Sequence, residues 1–544
     1  MKKTSLKFGL LLGGLICVMA SAGAQEQQPG KTRKIEILHA NSLVYNKKIN
    51  PDVRRFIGDV KFKHNEFIMY CDSAYSYTGQ NKIDAFSNVH ITRGDTLHLY
   101  GDYLSYNGNT NLGKVRRNVK LKDPQASLYT DSLNFYSGRN YAYYFNGGKI
   151  INQDKTITSR EGHYYSDRNM AHFKDSVKIK DPDYRVHADT LNYNTKTEIA
   201  YFFGPTRIYS DENYLYCENG WYKTIPNQFF FRKNALYQKN DRIIKGDTLY
   251  YDDSLGYGEI RSNAEIRDTT KDIILRGNYS EYTDEPEKAY MTDSAHMIAV
   301  DKESDSLYLH ADTLRSLMDS TGEHRLFKAY YQVKIFKSNM QGKCDSLTFA
   351  QRDSIIRMYR DPVIWSDSTQ ITADFIKIYT RNNNIRKFEL EESAFMVSME
   401  DTGRFNQIKG NNMTGYFREN QLRRVLVNGN GQTIYYAKDK ENVVGVNKAI
   451  SSNLRIKLLD NQVISVTLLN EPEGTLHPVG NLKEDQLSGF QWLMGQKPKS
   501  KYDIFKKDQL MRPEKKKSEK KKSEGQEAAD QEATSKAAPP ASGR

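Results

Sequence analysis

The sequence predicts an all-β protein built as a stack of bent antiparallel strands, about thirty residues to the repeat. Three observations lead there. A short motif recurs at that interval along most of the chain. Within each copy apolar residues alternate with a period of two, as in a strand with one buried face. Tyrosine is abundant at 37 residues, proline is scarce at 14, and aromatic side chains favour half-buried strands.

Taken in order, the first element is residues 1–24. Lys2, Lys3 and Lys7 precede the apolar run from Phe8 to Met19, and Ala22-Gly23-Ala24 is a small-residue cleavage site. This is the pattern of a secretory signal, cut after Ala24, and the run is too short to span a bilayer. The destination is then the periplasm or the cell surface.

Residues 25–480 carry the repeat. A tight copy is Val186-His187-Ala188-Asp189-Thr190-Leu191-Asn192-Tyr193, and Leu99-Tyr100-Gly101-Asp102-Tyr103-Leu104-Ser105-Tyr106 is another. The acidic slot is filled by Asp72, Asp102, Asp131, Asp189, Asp247, Asp312, Asp345 and Asp374, and by Asn41, Glu161, Glu218, Asn278 and Asn411 in looser copies. The steps run from 28 to 37 residues. The long ones, within 278–345 and 374–411, predict loop insertions or a seam. A second series keeps the same beat at Val60, Val89, Val119, Gly148, Val177, Thr206, Ala235, Ala264, Ala295, Val333 and Val363.

The slot marks a bend. Inward residues alternate up to Ala188 and resume at Leu191, an odd interval. The parity slips, so the strand must bulge there. An Asp at such a corner can accept hydrogen bonds from nearby backbone N–H groups. The residue before the slot is small in every copy except at Arg160, because a crease leaves little room on its concave side. Cys71, Cys217 and Cys344 share this small slot, four or five repeats apart. That is beyond disulfide reach, and they read as small apolar side chains.

Residues 481–512 leave the pattern. Leu487, Phe490 and Leu493 have helical spacing, predicting a short helix that caps the last rung. Residues 513–544 are Lys- and Glu-rich without apolar periodicity, which predicts a disordered tail.

Charge locates no nucleic-acid-binding domain. The chain is +13 overall, yet the two termini hold most of the excess, and residues 25–496 carry only +4. A nucleic-acid partner is not expected. Apolar residues at 38% exclude a polytopic helical membrane protein. The eleven histidines are scattered, and no C-x-x-C, H-E-x-x-H, G-x-S-x-G or phosphate loop occurs. Equivalent Asp corners repeated along a ladder are structural, whereas an active site needs one special constellation. No enzyme, cofactor or metal is expected.

The run from Ile37-Leu38-His39-Ala40-Asn41-Ser42-Leu43-Val44-Tyr45 through Arg55-Phe56-Ile57-Gly58-Asp59-Val60-Lys61-Phe62 resembles the OstA/LptA family of periplasmic lipopolysaccharide-transport proteins. It recurs in Asp84-Ala85-Phe86-Ser87-Asn88-Val89-His90-Ile91 followed by Gly101-Asp102-Tyr103-Leu104-Ser105-Tyr106, and the pattern covers roughly residues 35 to 420. The resemblance implies an open, twisted β-jellyroll of V-shaped section with a lipid groove between its two sheets. It implies lipopolysaccharide, through its lipid A moiety, as cargo, and end-to-end strand pairing with other jellyroll components of the export machinery. The chain is longer than the small periplasmic bridge of that family and shows no C-terminal outer-membrane barrel.

The inward ladder supplies the groove candidates: Leu97, Leu99, Leu104, Leu133, Phe135, Leu191, Tyr193, Leu249, Tyr251, Leu314, Leu347, Phe349, Ile376 and Ile378. Exposing one 14-carbon acyl chain to water costs on the order of 10 kcal/mol, and an apolar trough removes that cost without any catalytic group. The same residues could equally pack on each other as a closed core. Leu191→Asp is expected to weaken lipid binding in a folded protein. A β-helix that binds or cleaves surface polysaccharide, and a purely structural array, are the competing readings.

Overall fold

The computed structural model describes residues 33–506 except 47, 49–50, 96, 125, 212, 224–225, 284, 302–304, 319–323, 382–383, 402, 419–420, 440–441, 460–461 and 480–484. The signal and tail expectations, residues 1–24 and 513–544, lie outside the described residues. All elements below belong to the unit that ends at Lys506.

Thirty-six strands occur among the described residues, with no α-helix. Each rung pairs antiparallel with the one before and the one after: Tyr184–Asn194, for example, lies between Met170–Lys180 and Ile199–Ser210. Eight rungs are broken into two strands at their bend, such as Tyr141–Tyr144 with Gly148–Asn152. Both pieces pair with the same neighbour, Ser127–Tyr136. Each thirty-residue copy therefore climbs two rungs.

Every rung bends once, and the bend has a fixed construction. Between Lys174 and Val177 the register slips, so Asp175 and Ser176 together face Asp189 alone. Those two residues have φ of 65° and 57°. The same left-handed pair recurs at Ser87-Asn88, Arg117-Asn118, Lys233-Asn234, Ser262-Asn263 and Asp293-Ser294. Asn, Asp and Ser tolerate this conformation better than other non-glycine residues. The parity slip read from the sequence is thus a bulge. Ala188 and Leu191 are buried, while Asp189 between them is exposed.

The small slot is explained by what lies over it. A Cβ on Gly101 would stand 2.4 Å from Val115 Cγ1, and one on Gly410 would stand 2.2 Å from Val427 Cγ1. A side chain from the next rung fills the crease over these glycines, Val115 over Gly101, Ile260 over Gly246 and Val427 over Gly410, so that even an added Cβ would clash there. The three cysteines occupy the small slot of their own rungs, free and buried. Burial pushes each thiol up to about 12.

Two sequence assignments shift by one residue. Ser159, not Arg160, is the small inward residue of its rung, since it pairs with Gly148. Arg160 occupies the slot assigned to Glu161 and bonds Asp175 at 3.2 Å. At the other position Arg360-Asp361 form the left-handed pair, so buried Pro362 takes the inward place and Val363 faces outward opposite Lys343.

The long steps have separate causes. Within 278–345 the pairing continues unbroken through Lys288–Thr292, Thr313–Met318 and Arg325–Lys337. Within 374–411 the rung lengthens: Asn384–Asp401 has 18 residues, against 11 for Tyr184–Asn194.

The expected capping helix is absent. Residues 485–506 form an irregular strap with two short 3-10 turns, Met494–Gln496 and Asp503–Phe505. The strap does not cap the last rung. It runs back across the outer face of one arm, held by Gln407 to Asp485 and Leu487, and by Gln370 to Gln491 and Leu493. Leu487, Phe490 and Trp492 cover an outward apolar patch of Phe395, Val397, Ile434, Tyr436 and Val446. The spacing of Leu487, Phe490 and Leu493 makes no helix: Leu487 and Phe490 follow the rungs they cover, and the Leu493 N–H donates to Gln370.

Candidate functional site: the apolar interior

The bends bring the two arms of each rung face to face. We call the arm holding the small slot and the second series the near arm, and the arm beyond the bend the far arm. Their facing side chains form one contiguous apolar cluster from Phe56 to Ile456. Twelve of the fourteen groove candidates are buried in it: Leu97, Leu99, Leu104, Leu133, Phe135, Leu191, Tyr193, Leu249, Leu314, Leu347, Ile376 and Ile378. Tyr251 and Phe349 are half-buried.

From Val53 to Lys239 the interior is filled. Phe67 and Tyr106 approach Phe135 with ring centroids at 6.0 and 6.2 Å, and Phe229 stacks on Phe231 at 4.6 Å. A cavity of about 50 Å³ lies among Leu97, Leu128, Ala142, Ile150 and Phe173. That is room for a few waters, not for an acyl chain. At the first rungs the arm tips are tied together. His64 lies 2.7 Å from the Tyr106 hydroxyl and 3.0 Å from the Arg33 carbonyl. Its Nε2–H must donate to the carbonyl, so Nδ1 accepts from the tyrosine. Burial lowers the His64 pKa and favours this neutral form. Burial also raises that of Tyr106.

From Arg242 to Tyr359 the section changes. Near the bend the inward residues Leu249, Ile260, Leu314 and Met358 are still buried. Toward the arm tips Ile244, Tyr251, Ile266, Leu275, Tyr282, Met297 and Phe327 are half-exposed. The V is closed at its crease and open at its mouth over these rungs. Ile266 and Met297 escaped the sequence candidates, which followed only the slot-bearing rungs. The signal was present, two residues beyond the second series at Phe62, Ile91, Leu121, Ile179, Ile266 and Met297.

The eight Asp corners lie outside this interior. Six are exposed, and Asp102 and Asp345 are half-buried. They act between rungs more than on their own backbone. Asp72 accepts from Asn88 at 2.8 Å, Asp102 from Asn118 at 2.7 Å and Asp247 from Asn263 at 2.9 Å. Each acid thus ties its corner to the left-handed pair of the next rung. Asp374 meets Ser393 at 3.5 Å, and Asp345 meets Arg360 at 3.6 Å. Asp131, Asp189 and Asp312 occupy equivalent outward corners. Among the described residues no group of three or more His, Cys, Asp or Glu is placed to hold a metal ion.

Sequentially paired bent strands around a continuous apolar interior define the class: a repetitive, V-sectioned antiparallel β-jellyroll. Within it, residues 32–189 and 186–243 match the model of the OstA-like proteins, and over this stretch the chain is similar to that family. Among solved structures, one match is the crystal structure of LptH from Pseudomonas aeruginosa. Its title describes it as the LptA-homologous periplasmic component of the conserved lipopolysaccharide transport device. The identity is 10%, the match covers 20% of this chain and 81% of that one, and the TM-score is 0.19. No curated protein matches the chain.

Proposed function

We propose that this protein is a non-enzymatic periplasmic carrier that shields the acyl chains of lipopolysaccharide during export to the outer membrane. The observation that carries the reading is the single apolar cluster from Phe56 to Ile456, open at its mouth between Arg242 and Tyr359. The OstA-like match and the signal pattern of residues 1–24 support it. The half-exposed residues Ile244, Leu275, Tyr282, Met297 and Phe327 are where an acyl chain first meets the interior. Each buried CH₂ then contributes about 0.8 kcal/mol. Binding along Val53–Lys239 requires the arms to part, since that section is filled.

Strand pairing at the ends completes the reading. The first rung exposes Leu38, Leu43 and Val44, and the last exposes Ile464, Val466 and Leu476. Open edges of this kind recruit strands from other chains, here jellyroll components of the export machinery.

The test is a titration of the mature chain with lipopolysaccharide and, separately, with its delipidated polysaccharide. Saturable binding that requires the acyl chains, and that weakens in Leu275→Asp/Phe327→Asp, is the expected result. Binding to the sugar alone, or to neither, overturns the carrier reading.

A further inference from the structure

The near arm carries a second ladder on its outer face, pointing away from the interior. Cross-strand pairing sets Lys61 beside Tyr70, then His90, Tyr100, Lys120, Tyr129 and Lys149 in single file. The file continues through Thr158, Lys178, His187, Arg207, Tyr216 and Leu236 to Lys245. Cations stand on alternate rungs from Lys120 through Lys149 and Lys178 to Arg207, Lys61 and Lys245 lie further along the file on either side, and Tyr70, Tyr100, Tyr129 and Tyr216 stand on rungs between. Neighbours are in register: Lys61 lies 5.2 Å from the Tyr70 ring, Lys120 5.4 Å from Tyr129 and Arg207 5.6 Å from Tyr216. The Tyr100 ring stacks on His90 at 4.4 Å.

What distinguishes this face is the exclusion of acids. Between Val60 and Gly246 no strand residue of the near arm is Asp or Glu, and acids return only at the turns and creases. The far arm over the same rungs carries Asp84, Glu161 and Asp252. The chain as a whole has 67 acids to 80 bases, so the exclusion is local to this face.

The face has a precedent for its occupant. Further along the same arm, over His296, Gln370 and Gln407, the strap lies across the rungs as a single irregular segment of chain. From Lys61 to Lys245 no part of the described chain covers it. A hollow of about 610 Å³ opens there between Lys120, Tyr129 and Lys149, edged on its crease side by Asn118, Asn146 and the corner acid Asp131.

We infer that this outer ladder binds a linear acidic polysaccharide lying across the rungs, with its anionic groups on the lysine and arginine rungs. Between Lys120 and Arg207 the cations recur at two strand spacings, roughly 9.6 Å. A pyranose ring spans close to one strand spacing, so a glycan with one carboxylate per disaccharide meets a cation at each repeat. Its intervening hydroxyls then face the tyrosine hydroxyls. A repeating polymer suits this recurrence better than an aperiodic acidic peptide. A planar bilayer suits it worse, because strand twist of roughly 20° per rung turns the ladder away from any one plane. The inference does not rest on the lipid reading, since these side chains point away from the interior.

The test uses the mature chain and hyaluronate, whose carboxylate recurs on every second sugar. Dextran, poly-L-glutamate and phosphatidylglycerol vesicles are the comparison ligands. Lys120→Gln/Lys149→Gln/Lys178→Gln removes ladder charge, and Lys114→Gln/Lys174→Gln/Lys223→Gln removes the same charge from the far arm. The expected result is salt-sensitive hyaluronate binding, about tenfold weaker in the ladder variant and unchanged in the far-arm variant. Dextran and vesicles should not bind. Equal binding of poly-L-glutamate, binding of vesicles alone, equal loss in both variants, or no hyaluronate binding would each overturn it. Lipopolysaccharide binding that persists in the ladder variant keeps the two sites separate.

Discussion

The rungs from Val53 to Lys239 and those from Arg242 to Tyr359 share one repeat, one bend and one small slot, yet their interiors differ. In the first section most residues four past the slot are sealed, with Tyr106 and Tyr193 at 0% exposure, and Tyr164, four past Arg160, is the half-buried exception. In the second the equivalent Tyr251, Tyr282 and Phe349 are half-exposed. The crease is equally tight in both, as Gly101 under Val115 and Gly246 under Ile260 show. The difference lies at the arm tips, where the first section has aromatic contacts and the His64–Tyr106 tie. The bend is therefore a local property of each copy, and closure of the mouth is not.

The sharpest test of this contrast puts one charge into each section. Leu191→Asp buries a carboxylate at a fully buried position and should cost about 4 kcal/mol or more. This revises the expectation that the fold survives the change. Tyr282→Asp, at the open mouth, should cost less than about 2 kcal/mol. In a stack where each rung touches only its neighbours, loss is local. Hydrogen exchange of Met170–Ser210 against Tyr257–Thr292 reads both, and equal losses would break the distinction.

The strap gives the next largest effect. Leu487 is 5% exposed against Phe395 and Tyr436. Leu487→Ala should cost about 2–3 kcal/mol, with faster exchange confined to Asn384–Leu459. Faster exchange in Val53–Lys239 as well would mean that the strap supports the whole stack.

Acid should weaken both sections modestly. Burial lowers the pKa of His64, His90, His163, His296 and His310 below 6.5. The unfolded chain then binds more protons than the folded one once the pH falls below about 6.5. Stability is full above that pH and declines as it drops toward the folded values. Melting at pH 7.5, 6.5 and 5.5 should show the midpoint falling only in the last step. His64→Gln should reduce the decline in the first section alone. His310, packed at 4.9 Å under Phe505, should govern it beneath the strap.

The smallest effect belongs to the corners. Asp102→Asn keeps an acceptor for Asn118 at a solvent-facing crease and should cost less than about 1 kcal/mol by denaturant melt. A loss of several kcal/mol would make the acid ladder a major support of the bend.

Much of the fold was legible because it is periodic. The odd interval from Ala188 to Leu191 revealed the bulge, and the run of Gly, Ala and Cys before the acid revealed the crease. The left-handed pairs were equally written, as Ser-Asn, Lys-Asn and Asp-Ser just before the second series, but the acid on the facing rung drew the reading instead. Single copies misled where a neighbour changed the register, as at Ser159 and Pro362. The outer ladder went unread because alternating Lys and Tyr on a solvent face looks like ordinary surface until cross-strand partners are known.

The sequence by itself determined the period, the bend and the inward face, because each depends on residues within a few positions of one another. Only the tertiary structure decided how far the mouth closes, where the strap lies and which outward side chains stand in file. Those depend on rungs meeting across the V or across many repeats, as Leu487 meets Phe395. No local pattern encodes such a distance, since pairing between rungs, not spacing along the chain, brings these groups together.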